Sequence, residues 1–121
     1  MKANELRIGN LVNYNEGGIF KVIGIHEFGI DCEDEIETTY MEYENFKPIP
    51  LTEEWLLKFG FEERMFGWWS DVLFLRTENR NGYFYDWQKT NQTTGTYIEY
   101  VHQLQNLYFA LTGEELTFKS E

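Results

Sequence analysis

The 121 residues carry ten basic against 21 acidic side chains, a formal charge of -11. With 42% hydrophobic and 18% aromatic residues the chain can build a packed interior, as one compact domain or two very small ones sharing a core, and long disorder is excluded. The excess of acid repels nucleic acid and anionic membranes alike, and neither is expected as a partner.

In chain order, the N-terminal part reads as short strands. Residues 11–14 lead to a turn at Asn15-Glu16-Gly17-Gly18, and 19–25 follow, rich in β-branched residues. A third strand is expected over 28–32, with Gly29 marking a bend or bulge, and two more short edges over 38–41 and 46–49. Five short strands in this space predict a small, strongly bent barrel of SH3-like type. So small a barrel is marginal alone and is expected to lean on the rest of the chain.

Pro48-Ile49-Pro50 reads as a stiff extended hinge. A short helix is predicted over 53–59, with Thr52 as N-cap and Glu53 and Glu54 in its first turn. Leu51 and Leu56 form a hydrophobic staple, and Gly60 ends the helix in the left-handed conformation with Phe61 folding back. Residues 68–77 then read as one strand and 82–88 as another, joined by a hairpin at Asn81-Gly82. A polar loop over 91–95 precedes a third strand over 96–99. A helix over 100–111, ended by Gly113, closes the pattern. Its inward stripe is Tyr97, Val101, Leu104, Tyr108 and Leu111. The expected fold class is α+β: an SH3-like β-rich part over 1–50, then an α-β-β-β-α unit over 51–121 with an antiparallel meander. The two parts are expected to pack as one compact unit.

No apolar run follows Lys2, so no secretory signal is expected, and no stretch reaches the roughly 18 apolar residues of a membrane span. Cys32 is the only cysteine, which excludes an intrachain disulfide and a thiolate zinc site and suits a reducing, cytoplasmic setting.

Three blocks carry a resemblance. They are Glu5-Leu6-Arg7-Ile8-Gly9-Asn10, the run from Ile49-Pro50-Leu51-Thr52 to Phe59-Gly60-Phe61, and the run from Tyr100-Val101-His102-Gln103 to Leu111-Thr112-Gly113. Together they resemble a family of short uncharacterised proteins of bacteria, their phages and mobile elements. The resemblance implies a cytoplasmic accessory protein of bacterial or phage origin and attaches no activity to any residue.

Metal chemistry finds little to work with. His26, Cys32 and His102 are the only soft donors, with no paired spacing between them, so no metal site and no cofactor are expected. A Cys-His nucleophile would need Cys32 beside His26 or His102; the plainer reading is a turn histidine at His26 and a buried thiol at Cys32. Ser70 and Ser120 sit in no nucleophile elbow, and Gly17-Gly18 is a turn rather than a phosphate cradle.

Acid is concentrated between Lys21 and Lys47, where eight carboxylates occur without a basic residue. Asp31-Cys32-Glu33-Asp34-Glu35 lacks the glycine and spacing of a calcium loop. The segment is either a solvated acidic loop or a docking surface for a basic partner. On the second reading Glu33, Asp34 and Glu35 make the contact, and their reversal to Lys is expected to abolish it with the fold intact.

The densest aromatic zone is Trp68-Trp69 with Tyr83-Phe84-Tyr85-Asp86-Trp87, and Trp68, Tyr83 and Tyr85 are candidates for an exposed aromatic ladder. On the last helix His102, Gln105, Asn106 and Phe109 point away from the stripe. That face either packs on the barrel or receives a partner. On the packing reading, His102 and Asn106 hydrogen-bond across the junction and Phe109 plugs the barrel, so that its truncation costs roughly 3 kcal/mol or more. Two functions remain open: a non-enzymatic adaptor or inhibitor docking on a protein, or an enzyme using Asp71, Asp86 or His102 in the sheet–helix groove.

Overall fold

The computed structural model describes residues 5–14, 18–64, 67–70, 73–77, 83–87 and 92–117; for 76, 77, 83–87 and 92–97 only the backbone is described. The class is α+β, mostly antiparallel sheet with a curled half-barrel and two helices. By contacts the chain divides into two units, Met1–Ile49 with Tyr100–Asn106, and Pro50–Glu99 with Leu107–Glu121.

The first unit is built on β1 (Leu11–Tyr14), β2 (Gly18–Ile25), β3 (Gly29–Glu33), β4 (Thr38–Glu42) and β5 (Phe46–Lys47), in sheet order β4-β3-β2-β1-β5. These match the expected strands closely, because β-branched and aromatic residues alternate there and turn residues separate them. Val12, Phe20, Val22, Ile30, Cys32, Met41 and Phe46 come from all five strands and form one buried cluster with Leu6. A register shift between Val22 and Gly24 opens a bulge in β2. Such a bulge sharpens the twist and bends the sheet around its core.

The opening segment is tied down by amides. Gly9, at φ 102°, turns the chain so that its N–H reaches Val22 O (2.8 Å). Asn10 is fully buried; its Oδ1 accepts from Arg7 N–H (2.7 Å) and its Nδ2 donates to Asn106 Oδ1 (2.8 Å). Asn106 Nδ2 donates to Glu5 O (3.2 Å). Gln105 accepts from Leu11 N–H (2.9 Å) through Oε1 and donates to Gly9 O (3.2 Å) through Nε2. Both carry these bonds from the last helix, α2 (Val101–Thr112).

The second unit opens on α1 (Glu53–Lys58), capped by Thr52, whose hydroxyl accepts from Trp55 N–H. Phe61 N–H returns to Leu56 O (2.9 Å) and Gly60 N–H to Leu57 O (3.0 Å), with Gly60 at φ 88°. This double closure is the Schellman ending, and it requires a residue that tolerates positive φ. A sheet follows, β6 (Glu62–Arg64), β7 (Gly67–Trp69), β8 (Phe74–Thr77), β9 (Tyr83–Trp87) and β10 (Gln92–Ile98), in order β10-β9-β8-β7-β6.

This meander has five strands where three were expected. The run over 68–77 is not one strand, because Ser70 and Leu73 close a turn inside it. Ser70 N–H donates to Leu73 O (2.9 Å), and Leu73 N–H to Ser70 Oγ (3.1 Å). β6 has no apolar alternation, being three exposed charged residues, and therefore left no pattern to read. β10 starts at Gln92 rather than 96; its register shifts between Thr93 and Thr96, and the bulge hides the strand behind a loop-like Gly95. The Asn81-Gly82 turn lies outside the described residues, though β8 and β9 pair on either side of it.

The first half of α2 is buried on two sides. Val101 and Leu104 face inward as expected, and Gln105 and His102, at 3% and 4% exposure, are buried as the packing reading of that face expects. Phe109 is 38% exposed and is not a buried plug. Its replacement by Ala is therefore expected to cost clearly less than the roughly 3 kcal/mol of a core truncation. Gln105→Ala, which orphans Leu11 N–H and Gly9 O, is expected to cost roughly 2 kcal/mol, read as a shift of the urea midpoint. Ile36→Ser, at a side chain 91% exposed, serves as the control and should stay within about 0.5 kcal/mol.

Candidate functional site

The acidic segment divides into turn and surface. Asp34 closes the β3–β4 hairpin: its Oδ1 accepts from Ile36 and Glu37 N–H (2.8 Å each), and its own N–H donates to Glu37 O (3.0 Å). The Glu37 and Ile36 amides hold its carboxyl below the usual range. Glu33 sits 3.6 Å from Lys21, and Glu35 is exposed. Reversing all three to Lys also removes the Asp34 carboxylate that closes this turn, so that substitution changes the hairpin end as well as its charge.

A more structured group stands at the β2–β3 turn. His26 N–H donates to Gly29 O (2.8 Å) and closes the turn; the ring places Nε2 2.7 Å from Asp31 Oδ2. Gly24 is opposite Asp31 in the ladder, and a Cβ there would stand 3.1 Å from Oδ2, so glycine leaves room for the carboxylate. Tyr40 projects from β4 across Gly29, where a Cβ would lie 2.7 Å from its Cζ and Oη, and its ring stands 6.1 Å from that of His26. Tyr43 Oη donates to His26 O (2.6 Å). Around this scaffold Ile25, Phe28 and Tyr40 are 38%, 70% and 48% exposed.

His26 is the turn histidine that the plainer reading of the sequence expects, while its neighbours Asp31 and Tyr40 escaped that reading. A signal was present: two glycines, at 24 and 29, flank the histidine within one predicted hairpin. Glycine inside a strand marks a place where something else comes close.

Cys32 is fully buried and donates through Sγ to Thr39 O (3.5 Å). Burial first, then the carboxylates of Asp31, Asp34 and Glu37, push its thiol above the usual range, so it stays protonated and is a poor nucleophile. Among the described residues no three His, Cys, Asp or Glu side chains gather to hold a metal ion. No helix of the described residues is long and apolar enough to cross a membrane.

Of the other candidates, Trp68 is 3% exposed and offers no surface. It stands opposite Leu75, which stands opposite Tyr85, but the side chains of Tyr83 and Tyr85 lie outside those described, as does Asp71. Gln105 is committed to Gly9 and Leu11. His102 stacks on Tyr100 at 15° between rings, and its buried Nδ1 has no hydrogen-bond partner among the described residues. The expected bridging role therefore falls to Gln105 and Asn106, not His102.

Comparison with protein families, with curated proteins and with solved structures found no match.

The buried ring makes a pH prediction. Burial holds the His102 ring below its ordinary value, with the Glu5 carboxylate pulling the other way. The folded chain keeps the ring neutral while the unfolded chain takes up a proton near pH 6.5. Stability is thus fully present above about pH 6.5 and is lost as pH falls below it. His102→Phe is expected to flatten the fall in urea midpoint between about pH 7 and pH 5. A slope equal to the parent's would assign that fall to other groups.

Proposed function

We propose that the chain is a small acidic, non-enzymatic protein-interaction module, an adaptor or inhibitor, acting in the cytoplasm on a partner with a basic surface. The observation that carries this reading is the β2–β3 end of the first unit. Phe28, Tyr40 and Ile25 are exposed there on a scaffold held by His26–Asp31 and Tyr43. Exposed aromatics on rigid backbone are the usual anchors of protein interfaces, because they bury much area at little entropic cost. The carboxylates of Asp31, Glu27 and Glu42 lie within three residues of them in sequence. With a net charge of -11 they favour a basic partner and disfavour nucleic acid.

We read the first unit as SH3-like, followed by the helix–meander–helix part. The order β4-β3-β2-β1-β5, with β1 paired to both β2 and β5, supports that reading. Fold analogy adds no activity by itself. The resemblance of the three sequence blocks to short bacterial and phage proteins fits an accessory role, and a single buried thiol fits a reducing compartment.

The test is capture from native extract at graded salt, with the bound proteins identified by mass spectrometry. Tyr40→Ala and Phe28→Ala are each expected to lower recovery of the parent's partner about tenfold, and capture should weaken as salt rises. Equal recovery by both variants and the parent would remove this surface from the function.

A further inference from the structure

The outer edge of β4 deepens the reading just given, and rests on it, by naming the form the partner takes. β4 is the terminal strand of its sheet. Hydrogen bonds at its two ends fix which way its backbone faces: Asp34 N–H donates to Glu37 O, and Tyr43 N–H to Phe28 O. Bonded and non-bonded pairs alternate along an antiparallel ladder. In this register Thr39 opposite Cys32 and Met41 opposite Ile30 are therefore the bonded pairs. Thr38, Tyr40 and Glu42 turn their N–H and C=O groups to the other side. Glu42 O accepts there from Asn45 N–H (2.9 Å), and among the described residues no strand pairs with this edge. All three residues are exposed.

Open edges are commonly guarded by proline or lysine, or by being very short. The five residues of β4, Thr38-Thr39-Tyr40-Met41-Glu42, include neither and are β-branched or aromatic at three positions. The edge is instead marked by acid. Glu37 precedes β4, Glu42 ends it, Glu44 follows it, and Asp31 stands opposite Tyr40 on the neighbouring strand. A second copy of the chain would bring the same carboxylates against these and join two bodies of charge -11. A strand bearing Lys or Arg would meet opposite charge at the same positions, and the half-exposed Tyr40 ring offers a face to one of its cations.

We infer that β4 takes up an extended, lysine- or arginine-bearing peptide segment as a further strand of the sheet. Main-chain bonds to Thr38, Tyr40 and Glu42 supply affinity, and Glu37, Glu42 and Tyr40 select the basic side chains.

The probe is a fluorescent peptide alternating lysine with valine, titrated against the full chain by anisotropy at low and moderate salt. It should bind, and should weaken as salt rises. The same peptide N-methylated on alternate amides, and a version with glutamate for lysine, should each bind about tenfold more weakly or worse. Glu42→Lys should weaken binding comparably with an unchanged melting curve, and the Tyr40 and Glu42 amides should gain hydrogen-exchange protection on binding. Equal binding of the N-methylated peptide would overturn strand addition and leave the docking surface standing. Absence of peptide binding, while Tyr40→Ala and Phe28→Ala still lose the captured partner, would do the same. Dimerisation with these two amides protected in the absence of peptide would give the edge to a second copy and overturn the inference. Retention of the captured partner by both alanine variants would instead remove the interaction reading on which it rests.

Discussion

The opening segment of the first unit is held by four hydrogen bonds to the amides of two adjacent side chains. Gln105 and Asn106 reach Glu5, Gly9, Asn10 and Leu11, and in doing so pair three backbone groups and the Asn10 side-chain amide along the stretch that leads into β1. Leu6, near the start of this stretch, is part of the buried cluster. A small sheet has too little interior to hold such a segment by apolar burial alone. Amides can do it because each offers a donor and an acceptor at once, so a single side chain closes two unsatisfied groups. Asn10 completes the arrangement from the other side and is itself fully buried with its side chain paired at both ends. Removal of one member leaves its partners buried and unpaired, which is why such networks hold or fail together.

The same logic of close approach builds the β2–β3 end. Gly24 admits a carboxylate and Gly29 admits an aromatic ring, each over bare backbone. Their neighbours His26, Asp31, Tyr40 and Tyr43 then reinforce one another through a ring–carboxyl hydrogen bond, a ring contact and a hydroxyl bond. A tight turn thus carries partly exposed side chains beside a group that bonds and packs within itself, unlike the exposed Ile36 in the next turn.

Charge acts at two ranges in this molecule. Locally it builds structure: Asp34 spends its carboxylate on two backbone amides, and Lys58 lies 3.5 Å from Glu54 and 5.0 Å from the Trp55 ring. At longer range the net charge of -11 opposes the approach of other acidic bodies.

Local order was legible in the sequence wherever the determining residues are near neighbours. The cap, staple and glycine of α1 all fall between Leu51 and Phe61, and the strands of the first unit are separated by their own turn residues, so both were predicted within one or two residues at most ends. The α+β class followed from these. The second meander was half legible, because Ser70 and Leu73 close a turn inside what reads as one apolar run, and because β6 is wholly polar. What the sequence could not decide is which polar side chains are buried. Gln105 lies on a helix face that the sequence leaves to the barrel or to a partner, and its bonding partner Leu11 lies 94 positions away. His26 and Tyr40 likewise meet only because a bulge and two glycines set the register of three strands. Periodicity reports the face a residue shares with its own element; the partner across the gap is supplied by the tertiary fold, and with it the burial, the hydrogen bonds and the site.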